Sequence, residues 1–194
     1  SHYRQQIDTL RNQNKAYDDA KTFADDIKAA KQALKDAEDT ILRNIESMIN
    51  SQMTRYNDFV YNQTRKAPEI NLFDGTRYEF TTPDDTGTGT SYKSLIVFDL
   101  SILKLTQLPT LIHDSLIFND IGYAPLEKIM ELYTQSSKQI FIAFDKKEAP
   151  TKAIQKILDS ASILHLSSDG NELFGENWGR KKKDEEEDSA APTK

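Results

Sequence analysis

DDTGTGTSYKSLIVFDLSILKL, residues 84–105, places a polar, glycine-containing loop directly before an apolar run. The run Leu95–Leu105 is apolar on nearly every side, which predicts a buried helix that begins near Ser91. Glycines let a backbone approach an anion closely, and the first amides of a helix favour negative charge. Whether the segment is a loop that holds phosphate depends on the rest of the chain.

The same loop comes close to a P-loop. Counted from Gly87, the pattern G-x-x-x-x-G-K-[ST] is matched by Gly87, Lys93 and Ser94 and broken by Tyr92. The second glycine of a P-loop lets the backbone close around the β-phosphate, and tyrosine does not allow this. The preceding YEFTTPDD is polar and contains proline, unlike the buried strand that a P-loop follows. A P-loop and an ordinary turn without a ligand remain as weaker alternatives.

The segments around this loop alternate between strand and helix patterns. INLFDGTRYEF has an Asp-Gly pair between two short apolar runs, which predicts a hairpin. After the loop come LPTLIHDS, a short buried strand, APLEKIMELYTQSS, a helix with proline in its first turn, and KQIFIAF, a second buried strand. APTKAIQKILDSA predicts a last helix, and SILHLSSDGNELFG a pair of strands around Asp169 and Gly170. Residues 68–179 thus predict a layered α/β domain with a parallel sheet.

The first 67 residues contain neither proline nor glycine and differ from the rest. Small or apolar residues recur by three and four at Ile27, Ala30, Leu34, Ala37, Ile41, Asn44/Ile45 and Met48. This narrow stripe is typical of a coiled coil, so we expect residues 1–67 to form an arm helix that lies against a second helix. The alternative is one amphipathic helix packed on its own domain. Residues 180–194, RKKKDEEEDSAAPTK, predict a disordered charged tail.

Composition excludes several classes of protein. The formal net charge of -6 gives no strong nonspecific attraction to nucleic acid, although a local basic patch or a partner protein could supply it. The chain has no cysteine, which excludes disulfides, thiolate metal sites and thiol nucleophiles. The first residues lack the apolar core of a signal peptide, and no run has the length of a membrane span. We therefore expect a cytoplasmic protein without membrane contact.

The order of these parts resembles the C-terminal half of the ATPase head in SMC, RecN and related coiled-coil ABC ATPases. In that class a long antiparallel coiled coil separates the Walker A half of a head from its Walker B half. More narrowly, DTGTG and LPTLIHDSLIF look like the YydD-like domain-of-unknown-function family at the C-terminus of such ATPases, some of them in bacterial anti-phage gene clusters. The likeness covers nearly the whole chain except the tail.

The resemblance implies roles for particular residues. Asp114, at the end of the Walker B strand, would hold Mg²⁺, and Ser115 stands where the class has its catalytic glutamate. The D-loop corresponds to Asn119 and Asp120, and Phe144 stands where a switch histidine is expected. These two missing groups argue against fast hydrolysis, though not against nucleotide binding. The signature loop, which contacts the γ-phosphate of a nucleotide on the opposing head, corresponds to Thr86, Gly87, Thr88, Gly89, Thr90 and Ser91.

The implied cofactors are ATP and Mg²⁺, bound only together with the N-terminal half of the head. The implied partners are that N-terminal half, a second head in a homodimer, DNA and operon-encoded proteins, in DNA repair or anti-phage defence. The alternative function is a non-catalytic coiled-coil interaction module whose nucleotide site has decayed. The pair His113-Asp114 also matches a metal phosphohydrolase, but only weakly, because neither His2 nor His165 has ligand-like spacing.

Overall fold

The computed structural model describes residues 2–83, 87–145, 151–167 and 172. The chain falls into two compact units, Ser1–Ala149 and Pro150–Lys194. The predicted mixed α/β class, with a long helix ahead of the strands, is confirmed. The elements in chain order are α1 (His2–Tyr61), β1 (Glu69–Leu72), β2 (Tyr78–Thr81), α2 (Thr88–Leu105), β3 (Thr110–His113), a short 3₁₀ helix (Ser115–Phe118), α3 (Tyr123–Gln135), β4 (Gln139–Ile142) and α4 (Lys152–Ala161).

Helix α1 continues without a break for 60 residues because its sequence contains no helix-breaking proline or glycine. It ends at Tyr61, ahead of the predicted arm boundary at residue 67, where Asn62 and Gln63 take φ values of 50° and 63°. Left-handed residues commonly terminate helices, and asparagine tolerates this conformation better than most residues. The Thr64 amide donates to the Tyr61 carbonyl oxygen at 3.0 Å and closes the turn.

The base of α1 packs against the hairpin and α2, where a hydrophobic core cluster forms. Its fully buried members include Met53 of α1 and Val97 of α2, and the rings of Phe80 and Phe98 meet edge-to-face at 5.4 Å. The buried members are Ile49, Met53, Ile70 and Val97, and Tyr56, Leu72, Phe80, Phe98, Ile102 and Leu105 pack around them. This core fixes the direction in which the arm leaves the domain.

The predicted hairpin is confirmed, with β1 and β2 antiparallel. Asp74 shapes its turn, since Oδ1 accepts from the Thr76 and Arg77 amides at 2.8 Å each. The hydrogen bond from the Arg77 guanidinium holds the pKa of the Asp74 carboxyl well below its usual range. The hydrogen bonds from Thr76 lower this pKa further. Asp74 and Gly75 therefore form the turn that the Asp-Gly pair predicted.

Side chains of α1 cover the outer edge of β1. The Asn50 amide group donates to the Ile70 carbonyl oxygen and accepts from the Ile70 amide, both at 2.9 Å. Glu46 Oε2 accepts from the Leu72 amide at 2.7 Å. An exposed strand edge is open to pairing with other chains, so these bonds both satisfy the backbone of β1 and protect it.

Strands β3 and β4 form a parallel pair, as predicted, joined by a crossover through α3. The expectation that both strands are buried is wrong on one face, because Ile112 is 71% exposed and its register partner Phe141 is 40% exposed. On the other face His113 is buried beside Ile142. The described residues contain two separate two-stranded sheets, β1-β2 and β3-β4. No third strand joins either of them in the described ranges.

The two later helices form as predicted. Helix α3 buries Leu126, Ile129 and Met130 completely, and α4 begins after Thr151, whose side chain accepts from the Ile154 amide. The predicted strand pair near the end is not formed over residues 162–166, which are neither helix nor strand. Residues 168–171 and the predicted tail, 180–194, lie outside the described residues. Among the helices described, none is both long enough and apolar enough to cross a membrane.

The coiled-coil stripe of α1 is open to solvent: Ile27, Leu34, Ile41 and Met48 are 56%, 70%, 58% and 56% exposed. Exposed apolar seams of this length are sites of helix association. We predict that the chain self-associates through α1 in a concentration-dependent way, as measured by sedimentation equilibrium. The double variant Leu34→Asp/Ile41→Asp should shift the chain to monomer, whereas Lys35→Asp on the neighbouring face should not. A wild-type monomer at high concentration with the helix intact would contradict this prediction.

Candidate functional site

The glycine segment opens helix α2. The helix begins at Thr88, with Gly87 as its N-cap, so Gly89, Thr90 and Ser91 lie in the first turn and not in a loop. The expected start near Ser91 is therefore wrong by about one turn. The Ser91 amide donates to the Gly87 carbonyl oxygen at 3.0 Å. Thr86 lies outside the described residues.

These predicted nucleotide contacts differ in accessibility. Gly87, Thr88 and Ser91 are exposed, whereas Thr90 is only 7% exposed. The first amides of any helix lack acceptors within the helix and carry its positive dipole end. The accessible face of this turn therefore has the electrostatics for an anion, while Thr90 faces the interior of the domain.

Gly89 lies directly against the backbone of Asp120. A Cβ atom built on Gly89 would lie 2.2 Å from the Asp120 carbonyl oxygen and 3.1 Å from its carbonyl carbon. Real Cβ atoms do not approach backbone atoms that closely, so glycine is the residue this contact requires. The contact joins the predicted signature segment to the predicted D-loop, although 31 positions of sequence separate Gly89 from Asp120.

We predict that Gly89→Ala lowers the free energy of unfolding by about 1–3 kcal/mol, because the added methyl group displaces the Asp120 backbone. Chemical denaturation of the full chain measures this. Gly75→Ala is the matched control, since its Cβ would meet only Glu38 Oε1, at 3.6 Å. An equal effect of both substitutions would show that the Gly89–Asp120 contact is not as close as described.

Lys93, the lysine of the near P-loop pattern, does not reach toward the glycine turn. Its side chain is fully buried, Nζ donates to Asn57 Oδ1 at 3.1 Å, and the ammonium lies 5.2 Å from the centre of the Tyr61 ring. A buried ammonium is stabilised by such a hydrogen bond and by the face of an aromatic ring. The P-loop alternative fails on this contact, because a P-loop lysine must reach the phosphates.

Asn57 completes the junction between arm and domain. It is fully buried, and its amide nitrogen donates to the Arg65 carbonyl oxygen at 2.8 Å while its oxygen accepts from Lys93. One side chain therefore holds α2 and the chain segment after α1 together. No local sequence pattern predicts this role of Asn57, since its two partners lie 8 and 36 positions away in sequence.

Asp114 follows β3 at the carboxyl end of the parallel pair. It is exposed, it caps the 3₁₀ helix, and Oδ1 accepts from the Ser115 amide at 2.7 Å. Ligands of open α/β sheets bind at the carboxyl ends of the strands. The Ser115 hydroxyl lies 3.4 Å from the same carboxylate oxygen, and a neutral hydroxyl cannot act as the general base that a glutamate supplies.

Asp114 is a suitable but incomplete site for Mg²⁺. The ion takes oxygen ligands, and proteins commonly hold it through one or two carboxylates together with substrate phosphates. Within the described ranges, no three acidic, histidine or cysteine side chains group into a metal site. The residues present therefore suit an ion that nucleotide phosphates and water also ligate, rather than a resident structural metal.

Asn119 and Asp120 follow the 3₁₀ helix and are exposed. Phe118 just before them is buried and lies 5.8 Å from Phe144, ring centre to ring centre. Phe144, at the position expected for a switch histidine, is thus part of the packing beneath the 3₁₀ helix. No hydrogen bond between Asp114 and the glycine segment is present in the part of the chain described.

His113 has a role that the sequence reasoning missed. It is 5% exposed, Nδ1 lies 2.7 Å from the Tyr133 hydroxyl, and Nε2 lies 3.1 Å from Asp99 Oδ2. Burial, and secondly the charge of Asp99, raises the pKa of Tyr133, so that its hydroxyl keeps its proton. The interpretation as a metal phosphohydrolase fails here, because both ring nitrogens of His113 already have partners.

Two surface depressions among the described residues lie away from these residues. One of about 500 Å³ is lined by α4 residues, among them Lys152 and Asp159, and one of about 430 Å³ by α1 residues, among them Ile27 and Lys31. Each is lined by a single helix and is open to solvent. Neither includes the glycine turn or Asp114, and Thr88, Ser91 and Asp114 are exposed side chains.

Comparison with known proteins places the chain in a family. The model of the family described as "Uncharacterised protein conserved in bacteria (DUF2326)" matches residues 56–178. The chain belongs to the DUF2326 family. This supports the expected bacterial domain-of-unknown-function class, while the narrower YydD-like assignment stays a prediction. A search of the curated proteins finds no match.

Among solved structures, this DUF2326 chain is similar to SMC heads. One comes from a study of the ATP-driven dimerization and DNA-stimulated activation of SMC ATPases, with a TM-score of 0.46, 12% identity and coverage of 63% of this chain and 78% of that chain. The other is an SmcHead bound to the C-winged helix domain of ScpA, with a TM-score of 0.45, 14% identity and coverage of 59% and 38%.

Proposed function

We propose that this DUF2326 chain is the C-terminal half of a nucleotide-dependent ATPase head. The observation that carries the proposal is the contact of Gly89 with Asp120. It joins the positive end of α2 and the segment after Asp114 into one exposed surface. Such a surface suits a phosphate that a second molecule presents, because its anion-favouring amides open an exposed helix end.

The incomplete sheet supports the proposal that this chain forms only half of a head. Two parallel strands do not form a stable sheet by themselves, and parallel sheets are normally covered on both faces. Here Ile112 and Phe141 form an exposed apolar pair on one face, and Thr110 Oγ1 is buried without a hydrogen-bond partner among the described residues. In the proposed head the N-terminal half supplies the missing strands and, with them, the Walker A loop.

In this proposal ATP and Mg²⁺ bind only once both halves of the head are joined. Asp114 would hold the ion at the end of β3, and Thr88 and Ser91 would contact the γ-phosphate of the nucleotide on a second, identical head. The ion would supply charge neutralisation of the phosphates. DNA and operon-encoded proteins are the further partners we propose, in repair or anti-phage defence, with turnover slowed by Ser115 and Phe144.

A second candidate function is a non-catalytic interaction module. The exposed stripe of α1 favours it, and so does the burial of Thr90 inside the predicted contact segment. In that case the arm assembles proteins, and the glycine turn is a remnant of a nucleotide site. The two functions differ in one property, since only an ATPase head binds Mg-ATP when it is joined to its other half.

We predict that this chain alone binds Mg-ATP no more tightly than the millimolar range, because the described residues hold no Walker A lysine directed at phosphate. Isothermal titration with Mg-ATP measures this. A micromolar dissociation constant would contradict the half-head proposal. It would indicate that this chain contains a nucleotide pocket of its own.

In the longer protein that we propose contains this chain, Thr88→Arg and Asp114→Ala should separate two steps. Thr88 is exposed at the first helical position of α2, so arginine there blocks the approach of a second head while one head binds ATP within about twofold of wild type. Asp114→Ala should weaken Mg-ATP binding by about tenfold or more. We choose Thr88 for this substitution and not Gly89, because any side chain at position 89 would displace the backbone of Asp120.

Equilibrium binding and ATP-induced dimerisation are measured side by side for these variants. Gln107→Arg, an exposed substitution just past the other end of α2, is the matched control and should leave both unchanged. If Thr88→Arg abolished ATP binding as fully as loss of a Walker A lysine, the turn would belong to a pocket in its own head. The assignment to the opposing nucleotide would then be wrong.

A further inference from the structure

The histidine that directly precedes Asp114 links three elements of the domain. His113 ends β3, Asp99 lies in the middle of α2, and Tyr133 lies in the last turns of α3. The imidazole ring of His113 packs against the Tyr133 ring in a tilted arrangement, with 5.7 Å between ring centres. Because the histidine is 5% exposed, it lies inside the domain and not on its surface.

The partners of the ring decide where its protons are. An ionised carboxylate has no proton to give, so Nε2 carries the hydrogen that bonds Asp99. In the neutral ring Nδ1 is then an acceptor, and the Tyr133 hydroxyl donates to it. The chain of bonds runs from Tyr133 through His113 to Asp99, and each donor has one acceptor. This arrangement fixes both the rotation and the tautomer of the ring.

Asp114 itself has little to hold it. Its side chain is exposed, and its hydrogen bonds are to its own neighbour, Ser115. The backbone of Asp114 is restrained by its own carbonyl oxygen, which accepts from the Ile117 amide at 3.4 Å, and by that of His113, which accepts from the Ala143 amide at 2.9 Å. The anchored ring of His113 is therefore one of the restraints that lie next to Asp114.

We propose that His113 is a positioning residue for Asp114, which it holds at a fixed place relative to helix α2 and its glycine turn through the bonds to Asp99 and Tyr133. This inference rests on the proposed function, because it assigns Asp114 to Mg²⁺. Residues outside the ligand set that orient a ligand commonly change metal affinity by 10- to 100-fold when they are lost. Asp99 would thus affect Mg²⁺ binding indirectly, through His113 at the end of β3.

The test uses the proposed longer protein and the variants Tyr133→Phe and Asp99→Asn. Tyr133→Phe removes one oxygen atom and leaves the ring packing against Phe118, so the chain should fold. We expect each variant to raise the Mg²⁺ concentration that gives half-maximal ATP binding by roughly tenfold. ATP affinity measured in EDTA should stay unchanged, since Asp114 acts only through the ion. Exposed Tyr78→Phe and Asp26→Asn are the matched controls and should change neither value.

The variant His113→Gln should preserve part of the positioning of Asp114. The glutamine amide can still donate to Asp99, although the hydrogen bond to Tyr133 is lost. This variant should raise the Mg²⁺ requirement less than His113→Leu does. If Tyr133→Phe and Asp99→Asn lower only the melting temperature while Asp114→Ala raises the Mg²⁺ requirement, the histidine is structural and this inference is overturned. If Asp114→Ala leaves the Mg²⁺ requirement unchanged, the proposed role of Asp114 fails first, and the inference fails with it.

Discussion

The parallel pairing of β3 with β4 is the constraint on which the rest of the candidate site depends. Parallel neighbours need a crossover, and here α3 supplies it and covers the face on which His113 is buried. The pairing brings Asp114 to the carboxyl end of the sheet. It also leaves Ile112 and Phe141 exposed on the opposite face, which a second layer normally covers in parallel sheets.

Helix α2 connects this sheet to the arm. At its start Gly89 contacts Asp120, one turn later Lys93 bonds Asn57 of α1, and in its middle Asp99 bonds His113. At its other end Lys138 donates to the carbonyl oxygens of Leu103 and Thr106, which satisfies the terminus. The helix therefore fixes the arm base, the segment around Asp120 and the sheet relative to one another.

Local patterns predicted most of the elements. The Asp-Gly pair gave the hairpin because the Asp74 carboxylate can close the turn by itself, and proline near the start of α3 marked that helix correctly. The start of α2 was predicted a turn late, since glycine and threonine read as loop residues while the contact with Asp120 makes them helical. Local sequence does not contain that contact.

The candidate site was predictable only in part. Asp114 and the glycine segment stand out because their residue types and neighbours have recognisable chemistry. Asn57, Asp99 and Tyr133 do not, since their roles arise from partners that lie between 8 and 36 positions away. The exposure of one face of β3 was also not predicted, because an apolar strand with one uncovered face has the same sequence pattern as a strand buried on both faces.

Hydrogen–deuterium exchange of the β3 and β4 amides tests the central claim, that this chain is half of a head, most directly. The exchange is compared between the 194-residue chain alone and the longer protein that we propose contains it. The account predicts that amides of Thr110–His113 and Gln139–Ile142 exchange at least about tenfold more slowly in the longer protein, because added strands and a covered face stabilise the sheet. Equal exchange in both would contradict the claim, since it would show that nothing completes the sheet.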